Sequence, residues 1–450
     1  MRKIELDEHF TIGKILIYSL PAIFETYAIT SFQMVDGYFV STLLGITTFA
    51  SIELISPVFF VLYAFGFMFG EGASALIARE MGRGNKKRGC EILSMTTVSI
   101  LVFGTVTGIA AAVLVPQLSR LVGARPDHIA GCIEYGRMLL SFLPVYWINA
   151  AFISVWITAE KGWYGMIVSM INGLINVALD WFFMKPLNMG VRGAALATCL
   201  AAFVSASITI LYFQRRNNRS SLRFVRFTLK DFRELFYICT NGASGMVDAV
   251  AGNVSNMMMN IRLLKYVGQL GVAAMGVYNY VEEFFTSVLF GICTTTITVA
   301  GFKCGEKKRD ELDDLIKSNV ILNLSFGFVL CLLFVVCAKP IAGLYLGYDA
   351  KAFELTVYAI HIMALSCIAY GFNLFSSSFF TGLGNGLVSV VISICGSLAA
   401  PLLMMFVIPA LFGGEAIWFS KPAALLLTCF VSLCLLVTQY YRKKDEKLFL

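Results

Sequence analysis

Long apolar runs, each close to the length a helix needs to cross a bilayer, follow one another along almost the whole of this chain. About 20 apolar residues span the hydrocarbon core as a helix. Runs of that kind fall near residues 13–40, 50–78, 90–116, 131–157, 164–184, 192–213, 233–262, 271–300, 317–338, 354–380, 386–411 and 415–440. This succession constrains the fold more than any motif, because backbone in lipid must satisfy its own hydrogen bonds and a helix does so within one segment. Composition agrees: 58% of the 450 residues are hydrophobic and 14% charged, against about 25% charged in a soluble domain. The expected fold class is an all-α integral membrane protein with twelve transmembrane helices. The start, MRKIELDEHFTIGK, is polar with charges of both signs. It lacks the pattern of a cleavable signal peptide.

An even number of spans puts both termini on one side. If that side is cytoplasmic, its segments hold 25 of the 35 Lys and Arg residues, as the positive-inside rule requires. The expected location is the inner (cytoplasmic) membrane, multi-pass, with both termini cytoplasmic. The net charge of +7 is spread over these short loops, so topology explains it and a nucleic-acid partner is not expected. The longest polar stretch, QRRNNRSSLRFVRFTLKDFRE at 214–234, reads as a linker on the cytoplasmic surface, attracted to anionic lipid. The 12 Cys are scattered singly with no C-x-x-C, which predicts neither disulfides nor a structural zinc.

The two halves look alike. GRGNKKRG at 82–89 has a counterpart in KCGEKKRD at 303–310, an offset of 221 residues. The same shift carries Gly165 to Gly386 and Gly193 to Gly414. Three matches at one offset indicate an internal duplication of six spans. Six is even, so the repeats share one orientation, related by an axis along the membrane normal. The expected organisation is an N-lobe at 1–213, a cytoplasmic linker at 214–232 and a C-lobe at 233–450, two lobes around a central cavity. A duplicated chain can enclose its own cavity, so a monomer is expected.

Polar groups inside the spans come next, because lipid makes them expensive. Asn172, Asn176 and Asp180 recur at four-residue steps and line one face of the fifth span. Asp36, late in the first span, and Thr198, early in the sixth, lie at matching depth in the outer half. Asp36, Asn176, Asp180 and Thr198 together make an oxygen-lined set that suits a proton or a small hard cation such as Na⁺. Glu25 shares a helix face with Asp36, roughly 16 Å away, and either lines the inner cavity or snorkels to the interface. Asp248 sits among small residues of the seventh span. Glu282 and Glu283 in the eighth point about 100° apart; at least one faces an aqueous cavity and attracts a cationic substrate. Tyr278 and Tyr280 nearby offer ring faces to a cation. His361 reads as a hydrogen-bonded core histidine. Glu53 and Glu71, toward span ends, carry no special reading. Pro21 is a candidate bend point in the first span.

The chain has no G-x-S-x-G, P-loop or H-E-x-x-H. It is not expected to be an enzyme or to need a cofactor, and an ion gradient or a partner must drive any transport.

Several of these stretches resemble the multidrug and toxic compound extrusion (MATE) transporters: MVDGYFVSTLLG in the first span, EGASALIAREMGRGNKKRG after the second and NVALDWFFMKPLNMGVRGAALAT across the fifth and sixth. GVAAMGVYNYVEEFFTSVLFGICTTTITVAGFKCGEKKRDEL in the second half does so too. The resemblance implies two six-helix bundles, exporting small organic cations in exchange for H⁺ or Na⁺ by alternating access. It implies ion-coupling roles for Asp36, Asn176, Asp180 and Thr198. Some members carry a second-lobe cation site with Glu in the seventh span and Asp in the tenth. Here the seventh has Asp248 and the tenth has His361 but no Asp, so the N-lobe site is favoured. Acids in the eighth span occur in part of the family, in keeping with Glu282 or Glu283 in the cavity. The alternative is a flippase for lipid-linked saccharides from the same superfamily. It would line its cavity with Arg or Lys, whereas these charges are mostly acidic.

Overall fold

A computed structural model of the chain describes residues 4–44, 46–122, 124, 126–215, 220–227, 232–346 and 349–441. The first half contributes α1 (Ile12–Leu44), α2 (Ile46–Gly82), α3 (Lys86–Leu121), α4 in two pieces (Pro126–Ser141 and Leu143–Thr158), α5 (Gly162–Met184) and α6 (Gly190–Gln214). The second contributes α7 (Phe232–Tyr266), α8 (Gln269–Gly305), α9 (Arg309–Leu346) and α10 in two pieces (Ala350–Met363 and Ser366–Gly382). It ends with α11 (Gly386–Phe412), interrupted by a π-helical turn, and α12 (Gly414–Tyr441), which opens on a 3-10 turn and closes on a π-helical one. Twelve transmembrane helices in two halves of six follow. Among the described residues, nine helices and the two bent pairs are apolar enough to cross a membrane by composition alone. The twelfth, α7, has the length, but Asp248, Arg262 and Lys265 interrupt its apolar run.

The duplication reappears in the irregularities. The fourth helix of each half is bent, α4 by 59° and α10 by 44°. The breaks fall at Phe142 and at Ala364–Leu365, one place in the repeat. At the first, Pro144 opens the second piece, where its missing N–H costs least. In both halves the second helix lies against the second piece of the fourth, backbone to backbone. A Cβ on Gly70 of α2 would stand 2.5 Å from Ala151 Cα, and one on Gly382 of α10 would stand 2.7 Å from the Ile297 carbonyl of α8. Small residues allow this approach where lipid supplies no hydrophobic drive between helices.

The chain divides into two compact units, Leu20–Gly242 and Met1–Ser19 with Ala243–Leu450. The cut is not at the linker. α1 passes from one unit to the other at Ser19–Leu20, beside Pro21, and α7 does so at Gly242–Ala243. The early part of each repeat's first helix therefore belongs with the other repeat. In the first unit, Arg88 from the α2–α3 turn bonds Glu234 in the first turn of α7 at 2.8 Å. Linker residues 220–227 run over the same unit: the Val225 N–H donates to Ser94 Oγ at 2.9 Å, and Leu222 is fully buried.

The second unit grips the segment before α1 in the corresponding way. Lys303, at the end of α8, is 1% exposed. Its ammonium donates to the Asp7 carbonyl at 3.1 Å and to Glu306 at 3.3 Å. His9 bonds Glu311 at 2.9 Å, and Leu6 and Phe10 are buried. Replacing Lys303 with Ala removes the buried ammonium that ties the segment down through charged hydrogen bonds, a loss of about 1.5–3 kcal/mol. The variant is expected to melt earlier in detergent and to be cut faster by protease ahead of α1.

Candidate ion site

α5 and α6 form a hairpin whose turn is set by two left-handed residues, Asn188 (φ 51°) and Gly190 (φ 60°). Asn and Gly tolerate that conformation better than other residues. The hairpin brings Asn176 level with Thr198: Asn176 Nδ2 donates to Thr198 Oγ1 at 3.4 Å, and Thr198 Oγ1 donates to the Ala194 carbonyl at 3.0 Å. Ala194, Ala195, Ala197, Ala201 and Ala202 are buried along α6, which lets α5 lie close.

α1 runs beside α5 in the same direction and nearly constant register. A Cβ on Gly162 would stand 3.1 Å from Pro21 Cβ, and the Phe24 and Trp163 rings are 6.4 Å apart. Ser169 Oγ donates to Glu25 Oε1 at 2.6 Å. The Phe32 ring covers Gly173 so closely that any side chain there would overlap it. The last rung is Asp36 against Asp180, whose carboxyl groups face one another within hydrogen-bonding reach.

That rung is where the polar chemistry is unresolved. Asp180 is 0% exposed. Neither of its carboxylate oxygens, nor Asp36 Oδ1, has a hydrogen-bond partner among the described residues. Ionised carboxylates only accept hydrogen bonds, and two of them at this range cannot both stay charged without a proton or cation between them. Two acids, an amide and a hydroxyl are hard oxygen groups of the kind such a cation takes. Tyr135 of α4, also buried, lies within electrostatic range of both acids, as Glu53 of α2 does of Asp36. Tyr135 shares no periodic pattern with the acids, and Glu53, expected to carry no special role near a span end, lies close enough to Asp36 to act on it.

The other expected residues fall into place differently. Glu25 is 2% exposed and held by Ser169; it does not snorkel. Asp248 of α7 is satisfied: Ser393 and Ser397 of α11 donate to its two oxygens at 2.8 and 2.7 Å. Under the 221-residue shift those serines are the counterparts of Asn172 and Asn176. Ser397 lies in a π-helical turn, Cys395–Ala399, an irregularity frequent at functional positions. Tyr278 is buried and donates to Glu282 at 2.9 Å. Glu282 pairs with Lys421, while Glu283 is exposed. His361 bonds the Val335 carbonyl at 3.2 Å but is exposed, not a core residue.

The comparisons agree with this architecture. The MatE family profile matches residues 21–182 and 246–406, one stretch in each half. The multidrug export protein MepA of Staphylococcus aureus (strain MRSA252) is 23% identical over 407 residues, covering 88% of this chain and 87% of MepA. A crystal structure of MATE in complex with MaL6 superposes with a TM-score of 0.90 at 20% identity, covering 98% of this chain and 99% of that one. A MOP superfamily transporter from Pyrococcus furiosus Vc1, described as having a binding pocket of reverse polarity that suggests a different function, gives a TM-score of 0.89 at 21% identity over 99% of both chains. With the profile matching both repeats of a twelve-helix chain, this protein belongs to the MatE family of multi-pass membrane transporters, the multidrug and toxic compound extrusion proteins.

Proposed function

We propose that this chain is a secondary active multidrug exporter that moves organic cations out of the cell in exchange for H⁺ or Na⁺ by alternating access. The observation that carries the reading is the Asp36–Asp180 pair, three of whose buried oxygens have no donor among the described residues. A proton or Na⁺ entering from outside bridges the two carboxylates, leaves one net negative charge in place of two and lets α1 and α5 close on each other; its departure leaves like charges that push them apart. α1 has a place to yield. Pro21 supplies no N–H, so the Ile17 carbonyl lacks its helical partner just where α1 changes unit. Export by the MepA relatives supports the same direction of transport. The protein works as a monomer in the cytoplasmic membrane, termini inside.

The flippase reading is less favoured. An anionic pyrophosphate needs unpaired basic groups in the spans, and here Lys421 is paired with Glu282.

The test is efflux of ethidium from proteoliposomes under an imposed pH gradient or an imposed Na⁺ gradient. One gradient is expected to drive export and the other not. Equal, gradient-independent leakage under both would remove the antiport reading.

A further inference from the structure

In the second unit, Glu282 lies one helical turn beyond Tyr278 on α8. Tyr278 is fully buried, and its hydroxyl donates to Glu282 Oε1 at 2.9 Å. The same hydroxyl lies 3.1 Å from Ser366 Oγ. With its own proton directed at Glu282, the phenol oxygen can accept from Ser366, and the two bonds fix it in position. A carboxylate beside an aromatic face is what an organic ammonium group needs: charge on one side, a ring quadrupole on the other. An ammonium is already there. Lys421 of α12 pairs with Glu282 Oε2 and stands 5.0 Å from the centre of the Tyr278 ring. Unlike Tyr278, the two charged side chains keep some exposure, 17% for Glu282 and 23% for Lys421.

We propose that Glu282 and the Tyr278 ring bind the cationic head of exported compounds, and that Lys421 is a tethered competitor holding that site when no substrate is present. This rests on the reading that the cargo is an organic cation. The tether gives the lysine a high effective concentration at the carboxylate, on the order of millimolar or more. A small inorganic cation brings no apolar surface and loses to it. A lipophilic cation adds burial of its body, roughly 25 cal/mol per Å², and displaces the lysine, whose flexible stem carries its head toward solvent. The pair therefore sets selectivity: it rejects hydrophilic cations and admits large apolar ones. Among the described residues the Asp36–Asp180 pair has no built-in cation, so the two acidic sites divide the labour, the first taking the coupling ion and the second the cargo.

The experiment measures ethidium binding by fluorescence to the purified full-length protein in detergent. Lys421→Met is expected to tighten Kd about tenfold, because the competitor is gone. Lys421→Arg, which keeps a tethered cation, is expected to bind as the wild type does. Glu282→Gln and the charge-neutral Glu282→Gln/Lys421→Met double variant are expected to bind about tenfold more weakly than wild type. The double variant carries the test even if Lys421→Met alone fails to fold. Wild-type binding that neither Lys421→Met nor the double variant changes would overturn the proposal and leave cation export standing. No binding of ethidium by wild type or Lys421→Met would overturn both.

Discussion

Asp180→Asn is expected to lower gradient-driven export of an organic cation about 10- to 100-fold, with normal amounts of protein in the membrane. The magnitude follows from what coupling between two sites is typically worth, about 1–3 kcal/mol. Asn has the shape of Asp but no titratable charge, so the helices still pack while the pair no longer alternates between repelling and bridged states. Folding is not expected to suffer. Asp180 now stands with no donor to either oxygen, and the amide removes that burden. Asp36→Asn is expected to act in the same direction and less completely, since Asp36 is half-buried where Asp180 is sealed. The double variant is expected to be no worse than Asp180→Asn, because two members of one pair do not lose function additively. Ethidium efflux in cells, normalised to membrane protein, checks all three. Full-rate export by Asp180→Asn would remove the pair from the mechanism.

Gly173→Val is expected to abolish export and lower stability by about 1–3 kcal/mol, the usual range for forcing extra atoms into a packed contact. The Phe32 ring occupies the space where a Cβ on Gly173 would lie, so valine pushes α1 away from α5. Asp36 and Asp180 sit one to two turns beyond that contact and separate with it. A second change distinguishes this from general misfolding: Phe32→Ala/Gly173→Val removes the obstructing ring and is expected to recover part of both the melting temperature and the export. No recovery would mean that the Phe32–Gly173 rung does not set the spacing of the acids.

What could be read from the sequence follows from which interactions are periodic. The stripe Asn172, Asn176, Asp180 was legible because helix geometry alone puts four-residue steps on one face, and matching depth was enough to add Asp36 and Thr198. The duplication was legible because an offset survives when side chains change. Contacts between helices were not. Nothing in a one-dimensional pattern says that Phe32 lies on Gly173, that Ser169 holds Glu25 or that Lys421 of the last helix reaches Glu282. These depend on register between elements far apart in the chain. The break in α4 had a sign in Pro144, whereas the break at Ala364–Leu365 in α10 has neither Gly nor Pro. Under the 221-residue shift the second repeat has Pro401 at the place of Asp180. It carries a half-buried carboxylate, Asp248, on α7, held by the serines that stand in place of the two asparagines. That contact joins two helices, which an offset along one helix cannot reveal.

The most direct measurement is ion movement caused by cargo. Vesicles containing the protein are loaded with a pH gradient or with labelled Na⁺, ethidium is added, and dissipation of the ion gradient is followed. Cargo-dependent dissipation of one of the two gradients is predicted for the wild type, with none for Asp180→Asn at equal protein. Dissipation of equal rate in Asp180→Asn would contradict the account, because ion exchange would then proceed without the Asp36–Asp180 pair.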